Sequence, residues 1–268
     1  MVGWRAKARY GSRRREDAVE TILIIGDVEG RADQLTAVAD PLLGDAGTVV
    51  IQVGNLIDRG PDSSGVLAIV RERMAGRPQW IQLVGNHELQ YLGGGRFWQD
   101  PVTAADADLL RSWWLCEQVR IAAAVRNADG DDLLVTHAGL TFNAWHALGE
   151  PVTATTAAEL LNTRPDELIW AQDGPLWAQS RQVYESWLAA PVAAPFGQVH
   201  GHSSIVEYQG RTWVCSSRVR LRSTVDWAAR HTVTRISGNR FIGVDPEHGC
   251  HGAAQWAPLI LTDAEFLA

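Results

Sequence analysis

Residues 80–88 read Trp80-Ile81-Gln82-Leu83-Val84-Gly85-Asn86-His87-Glu88. A short apolar run stops at a glycine, and an amide, an imidazole and a carboxylate follow at once. Such a run reads as a strand buried on both faces. The same construction recurs on either side. Thr21–Ile25 runs into Gly26-Asp27-Val28-Glu29-Gly30, and Thr48–Val53 runs into Gly54-Asn55-Leu56-Ile57-Asp58-Arg59-Gly60. Asp132–Thr136 ends at His137-Ala138-Gly139, and Gly197–Val199 ends at His200-Gly201-His202. Five strands therefore each deliver metal-ligand residue types at their C-terminal ends, where open α/β sheets bind their ligands.

Helical spacing falls between these runs: Leu35, Val38, Ala39 and Leu42 within 31–43, and Val66, Ile69, Val70 and Met74 within 62–75. Strands alternating with helices predict an α/β fold with a largely parallel sheet. Residues 104–190 read as mostly helical, broken by one strand near 131–136. Later strands are expected at 205–208, 212–214, 232–236, 241–244 and 258–261. Residues 1–18 read as a solvated basic arm (Arg5, Lys7, Arg9, Arg13, Arg14, Arg15), and 19–268 as one domain.

The chain has 268 residues, 46% hydrophobic and 21% charged, an ordinary globular composition. Its net charge of -7 speaks against a general nucleic-acid binder. No apolar run reaches the roughly 18 residues needed to span a bilayer. The basic start lacks the apolar core of a secretory signal. Three scattered cysteines with no C-x-x-C pair suggest reduced thiols, hence a cytoplasmic protein. The Ala-, Arg- and Val-rich composition suggests a bacterial source.

The five polar segments, in this order, resemble the phosphoprotein phosphatase branch of the calcineurin-like metallophosphoesterases, which also includes diadenosine tetraphosphatases. That family carries G-D-x-H-G, G-D-x-x-D-R-G, G-N-H-E, H-A-G or H-G-G, and a late G-H. The match runs over residues 21–203, and Gly243-Val244-Asp245 with Leu259-Ile260-Leu261 resembles the family's closing strands. The resemblance implies an α/β/β/α sandwich with the motif loops at strand C-terminal ends. It also implies one or two divalent metals and a water attacking phosphorus in line. Asp27 would belong to the first metal, and Asn86, His137 and His202 to the second. His87 would protonate the leaving oxygen, Asp58 would orient His87, and Arg59 with Asn86 would hold phosphate oxygens. Glu88 would support the shell. Arg218 is expected as a second phosphate arginine, on a strand edge facing the site.

Two positions depart from the pattern. Glu29 stands where the family has a histidine ligand, and Asn55 where it has the bridging aspartate. The first site keeps its formal charge but becomes all-oxygen, which favours Mn²⁺ or Mg²⁺ over Zn²⁺, with Mn²⁺ the first expectation and Fe also a candidate. The second site loses its one negative charge, and a neutral amide bridges two dications poorly. Two functions follow from this. One is a phosphoesterase acting on a phosphomonoester or nucleotide-type phosphoanhydride, with small-molecule, nucleotide and phosphoprotein substrates all open. The other is a degenerate relative that binds a phosphorylated ligand or runs a different reaction. His200 reads as a hydrogen-bonded structural histidine, and His248-Gly249-Cys250-His251 as a loop rather than a metal site.

Overall fold

The computed structural model describes residues 20–44, 47–77, 79–95, 97–98, 101–248 and 255–268. The basic arm over 1–18 lies outside these, as do Arg96, Cys250 and His251. The strands are β1 (Glu20–Ile25), β2 (Thr48–Gln52), β3 (Trp80–Gln82), β4 (Ala122–Arg126), β5 (Asp132–Thr136) and β6 (Gly197–His200). They continue with β7 (Val206–Glu207), β8 (Thr212–Trp213), β9 (Ser223–Asp226), β10 (His231–Ile236), β11 (Asn239–Gly243) and β12 (Leu259–Phe266). Ten of them hydrogen-bond in the order β3-β2-β1-β12-β4-β5-β6-β11-β10-β9, while β7 and β8 pair separately.

Side-chain alternation sets the layers, because successive residues of a strand face opposite ways. Ile22 and Ile24 of β1 join Val49 and Ile51 of β2, Ala123 and Val125 of β4, and Leu133 and Val135 of β5 in one buried cluster. Leu23 and Ile25 instead join a second cluster with Leu35, Val66, Leu67, Val70, Leu161, Tyr184 and Trp187 from the helices. The first cluster draws on strands from both sides of β12 in that order. The ribbon of hydrogen bonds is therefore folded over at β12, with its halves face to face and helices outside. Both faces of β1, β2, β4, β5 and β6 are largely buried, and their apolar runs are unbroken for that reason.

The largely parallel sheet expected from the sequence is corrected to a mixed one. Parallel pairing is confined to β1–β2–β3 and to β5–β6–β11. β12 runs antiparallel to both β1 and β4, and β4 antiparallel to β5. β4 reads Ala-Ala-Ala-Val-Arg and was expected inside the helical stretch. Alanine has little strand preference, and partners on both sides impose the conformation. β9 was not expected either, and β12 runs five residues past its expected end. The helices Ala32–Ala39 and Ser63–Gly76 fall where the spacing put them. Among the described residues, no helix is long and apolar enough to cross a membrane.

Candidate metal and phosphate site

The loops after β1, β2, β3, β5 and β6 meet at one edge of the sheets. Several chemistry-bearing residues there have left-handed backbone: Glu29 (φ 51°), Asn55 (φ 54°), Asp58 (φ 72°), Arg59 (φ 59°) and His202 (φ 64°). Such conformations are uncommon outside glycine and persist where the surroundings impose them. Two of the motif glycines serve close approach. A Cβ on Gly85 would lie 2.3 Å from Asn55 Oδ1, and one on Gly201 would lie 2.0 Å from Asp27 Oδ1.

Glu88 ties two of these loops together. Its carboxylate accepts from the backbone N–H groups of Gly85 (2.8 Å), Asn55 (2.9 Å) and Leu56 (2.8 Å). Next to it, His87 Nδ1 lies 2.8 Å from Asp58 Oδ2, with both residues buried. Gln90, three residues after His87, donates to the same oxygen at 2.7 Å. With Nδ1–H donating to the carboxylate, Nε2 of His87 is free for substrate.

One half of the site is a ring of donor atoms. Asn86 Oδ1 lies 3.0 Å from His137 Nε2 and 3.1 Å from His202 Nδ1. His137 Nδ1 lies 3.0 Å from the carbonyl of Val53, which only accepts, so Nδ1 carries the proton and Nε2 a lone pair. Burial holds His137 well below the usual imidazole range and His202 down to about 3, so both rings are neutral. The Nε2 lone pair of His137 thus faces an amide oxygen, an opposition that a cation between them would relieve. Separations near 3 Å are also the edges of an octahedron with bonds of about 2.1 Å. Among the described residues, no group of three His, Cys, Asp or Glu could hold a metal ion, so this donor set depends on the Asn86 amide. A single divalent cation fits it. Gln179 Nε2 lies 3.2 Å from His202 Nε2, and an amide N–H there leaves the ring proton on Nδ1, which donates to Asn86 Oδ1, so His202 must give up that proton or change tautomer before Nδ1 could take a cation.

The other half is partly occupied by protein groups. Asn55 Nδ2 donates to Asp27 Oδ2 at 3.0 Å, and Asn55 Oδ1 accepts from His87 N–H at 3.1 Å. Asp27 Oδ1 accepts from His202 N–H at 3.0 Å. Glu29 turns to Arg59, whose Nη1 donates to its Oε1, and Arg31 Nη1 lies 3.8 Å from Oε2. Oε2 is buried with no hydrogen-bond partner among the described residues. Burial raises Glu29 to about 7 against the pull of Arg59. Burial, with Asp245 and Glu29 close by, also holds Asp27 well above the usual carboxylate range. For Arg59, burial alone would lower the value, but Glu29, Asp245 and Asp27 outweigh it and raise it.

The structure therefore brings Asp27, Glu29, Asn55, Asp58, Arg59, Asn86, His87, His137 and His202 together. It does not bring Arg218 to them. Ser216 caps a short helix, Ser217–Arg220, where a strand edge was expected, and the Arg218 guanidinium donates to the Leu188 carbonyl. His200 is hydrogen-bonded to the Tyr184 hydroxyl at 2.9 Å, as expected of a structural histidine. Three neighbours of the site escaped sequence reasoning: Gln90, Gln179 and Asp245. Asp245 is buried just past β11, and a Cβ on Gly26 would lie 2.0 Å from the Val244 carbonyl beside it. The same strand-end reading that found Asp27 would have found Asp245.

The calcineurin-like phosphoesterase profile matches residues 20–234. The chain belongs to that family, whose members are metal-dependent phosphoester hydrolases. Among solved structures, a cold-active protein-tyrosine phosphatase of a psychrophile Shewanella species is 15% identical. That match covers 93% of this chain and 81% of that one, with TM-score 0.53. Another structure of a cold-active protein tyrosine phosphatase is 14% identical over 85% of this chain and 70% of that one, with TM-score 0.50. At this identity the likeness is one of fold. No curated protein matches the sequence.

Proposed function

We propose that this protein is a phosphoesterase hydrolysing a phosphomonoester or a nucleotide-type phosphoanhydride, with one divalent cation held by Asn86, His137 and His202. The buried Asp58–His87 pair at 2.8 Å carries the reading, because a scaffold alone has no use for an imidazole oriented by a carboxylate. His87 gives its proton to the leaving oxygen, and Asp58 stabilises the charged ring that precedes this step. Arg59, with its side chain 37% exposed, is the planar fork that holds phosphate oxygens. Asn86 contributes beside it. The bound cation supplies charge neutralisation of the phosphate and an activated water. Mn²⁺ suits the mixed nitrogen and oxygen donors, with Mg²⁺, Fe and Zn²⁺ as the other candidates. We place the enzyme in the cytoplasm, acting on phosphorylated small molecules, nucleotides or phosphoproteins.

A second reading, a phosphate-ligand binder without turnover, is favoured by one observation. Asp27 Oδ2 already accepts from Asn55 and Glu29 Oε1 from Arg59. The deciding measurement is Mn²⁺-dependent release of p-nitrophenol from its phosphate ester, with His87→Asn alongside. The expected result is metal-dependent turnover that falls by about 100-fold or more in the variant. Phosphate binding without turnover under any divalent metal would replace the enzyme with the binder.

A further inference from the structure

We propose that the cavity beside Arg59 is a leaving-group subsite for a planar aromatic ring, with Trp98 as its stacking wall. This deepens the phosphoesterase reading and rests on it. The cavity, ≈ 280 Å³, is lined by residues 58–64 on one side and by Trp98 and 101–103 on the other. The Trp98 ring lies 5.7 Å from the His87 ring, and the Arg59 guanidinium 6.0 Å from the Trp98 centroid. Phe97 meets His87 edge-on at 5.1 Å and Trp177 at 5.7 Å, yet stays 43% exposed.

The chemistry fixes the direction of the leaving group. Arg59 holds the phosphate oxygens and His87 protonates the leaving oxygen. Whatever that oxygen carries must therefore continue past both residues, along the face of Trp98. The Trp98 indole lining it offers offset and edge-on contacts to a flat ring, which a short polyol cannot use. Two hydroxyls of the polar rim are already engaged. Ser63 Oγ accepts from Asp58 N–H at 2.9 Å, and Thr103 Oγ1 donates to Asp106 at 2.7 Å. Recognition then rests on the ring face and tolerates ring substituents.

Two sources supply such a ring: an aryl phosphate, or a nucleotide whose base lies further from the phosphorus. The test compares kcat/KM for phenyl phosphate, AMP and glycerol phosphate with Mn²⁺ in wild type, Trp98→Leu and Trp98→Phe. Taking ratios to glycerol phosphate within each protein, and then between proteins, cancels intrinsic leaving-group reactivity. The expected result is that Trp98→Leu lowers the ratio for phenyl phosphate, for AMP or for both by about tenfold, and that Trp98→Phe restores most of it. The substrate that responds identifies the source. Equal losses on all three substrates would overturn the subsite. If wild type turns over none of them, the phosphoesterase reading has failed independently. Calorimetric affinities for phenylphosphonate against methylphosphonate then decide the subsite: a tighter fit for the aryl compound that Trp98→Leu removes supports it, and equal affinities overturn it.

Discussion

The two halves of the site treat positive charge in opposite ways. Beside Asn86, the His137 Nε2 lone pair faces the amide oxygen with no proton between them, while His202 Nδ1 donates to the same oxygen. Around Asp27, Glu29 and Asn55, each carboxylate already has a positive or N–H partner. Asn55 shows why. An aspartate there would put a second carboxylate against Asp27 and need a cation between them. The amide donates to Asp27 instead. On the proposed reading, a cation would complete the first half, and in the second Asn55 and Arg59 engage the carboxylates that would otherwise face one.

The strongest way to break this comparison is metal affinity. Asn86→Ala is expected to weaken Mn²⁺ binding by about 100-fold or more, whereas Glu29→Gln changes it only a few-fold. Titration followed by electron paramagnetic resonance reads both, and equal losses would erase the distinction between the halves. Next in size is Glu88→Gln. It weakens three backbone contacts that hold the β2 and β3 loops together, at a cost of about 2–3 kcal/mol in urea unfolding. A cost below about 0.5 kcal/mol would mean that the loops hold their places without it.

Restoring the family residues tests the second half directly. The double variant Glu29→His, Asn55→Asp is expected to raise bound manganese from one ion per chain to two, and kcat by about tenfold. Elemental analysis after dialysis gives the first number, and an unchanged single ion would show that the loss of bridging lies elsewhere. The smallest effects are in pH. His202 sits at about 3 when folded, below its ordinary 6.5, so its contribution to stability is complete above pH 6.5 and lost as pH falls. Glu29 is raised from 4.5 to about 7, so its contribution is complete below pH 4.5 and lost as pH rises through 7. In metal-free protein, His202→Asn should flatten the acid side of the Tm profile and Glu29→Gln the alkaline side. Each group contributes a slope of at most about 1.4 kcal/mol per pH unit within its window. The same slope on both sides would contradict the opposite signs.

Much of this was legible in the chain. The runs ending at Gly26, Gly54, Gly85, His137 and His200 gave both the strands and the donors, because apolar continuity and abrupt glycines are local signals. β4 was not legible. Ala122–Ala124 forms a strand only because β5 and β12 flank it. Arg218 failed for a related reason, since the Ser216 cap competes with an extended reading over just four residues.

The sequence by itself determined which residue types stand at each strand end, and that Glu29 and Asn55 alter the charge at two ligand positions. Tertiary structure decided what those alterations do. Nothing local says that Asn55 points its nitrogen at Asp27, that Glu29 turns to Arg59, or that Asp245 lies beside them. Those partners are brought together by separate strands, and a side chain's direction in a buried site is set by whichever partner leaves the fewest charges and N–H groups unmatched.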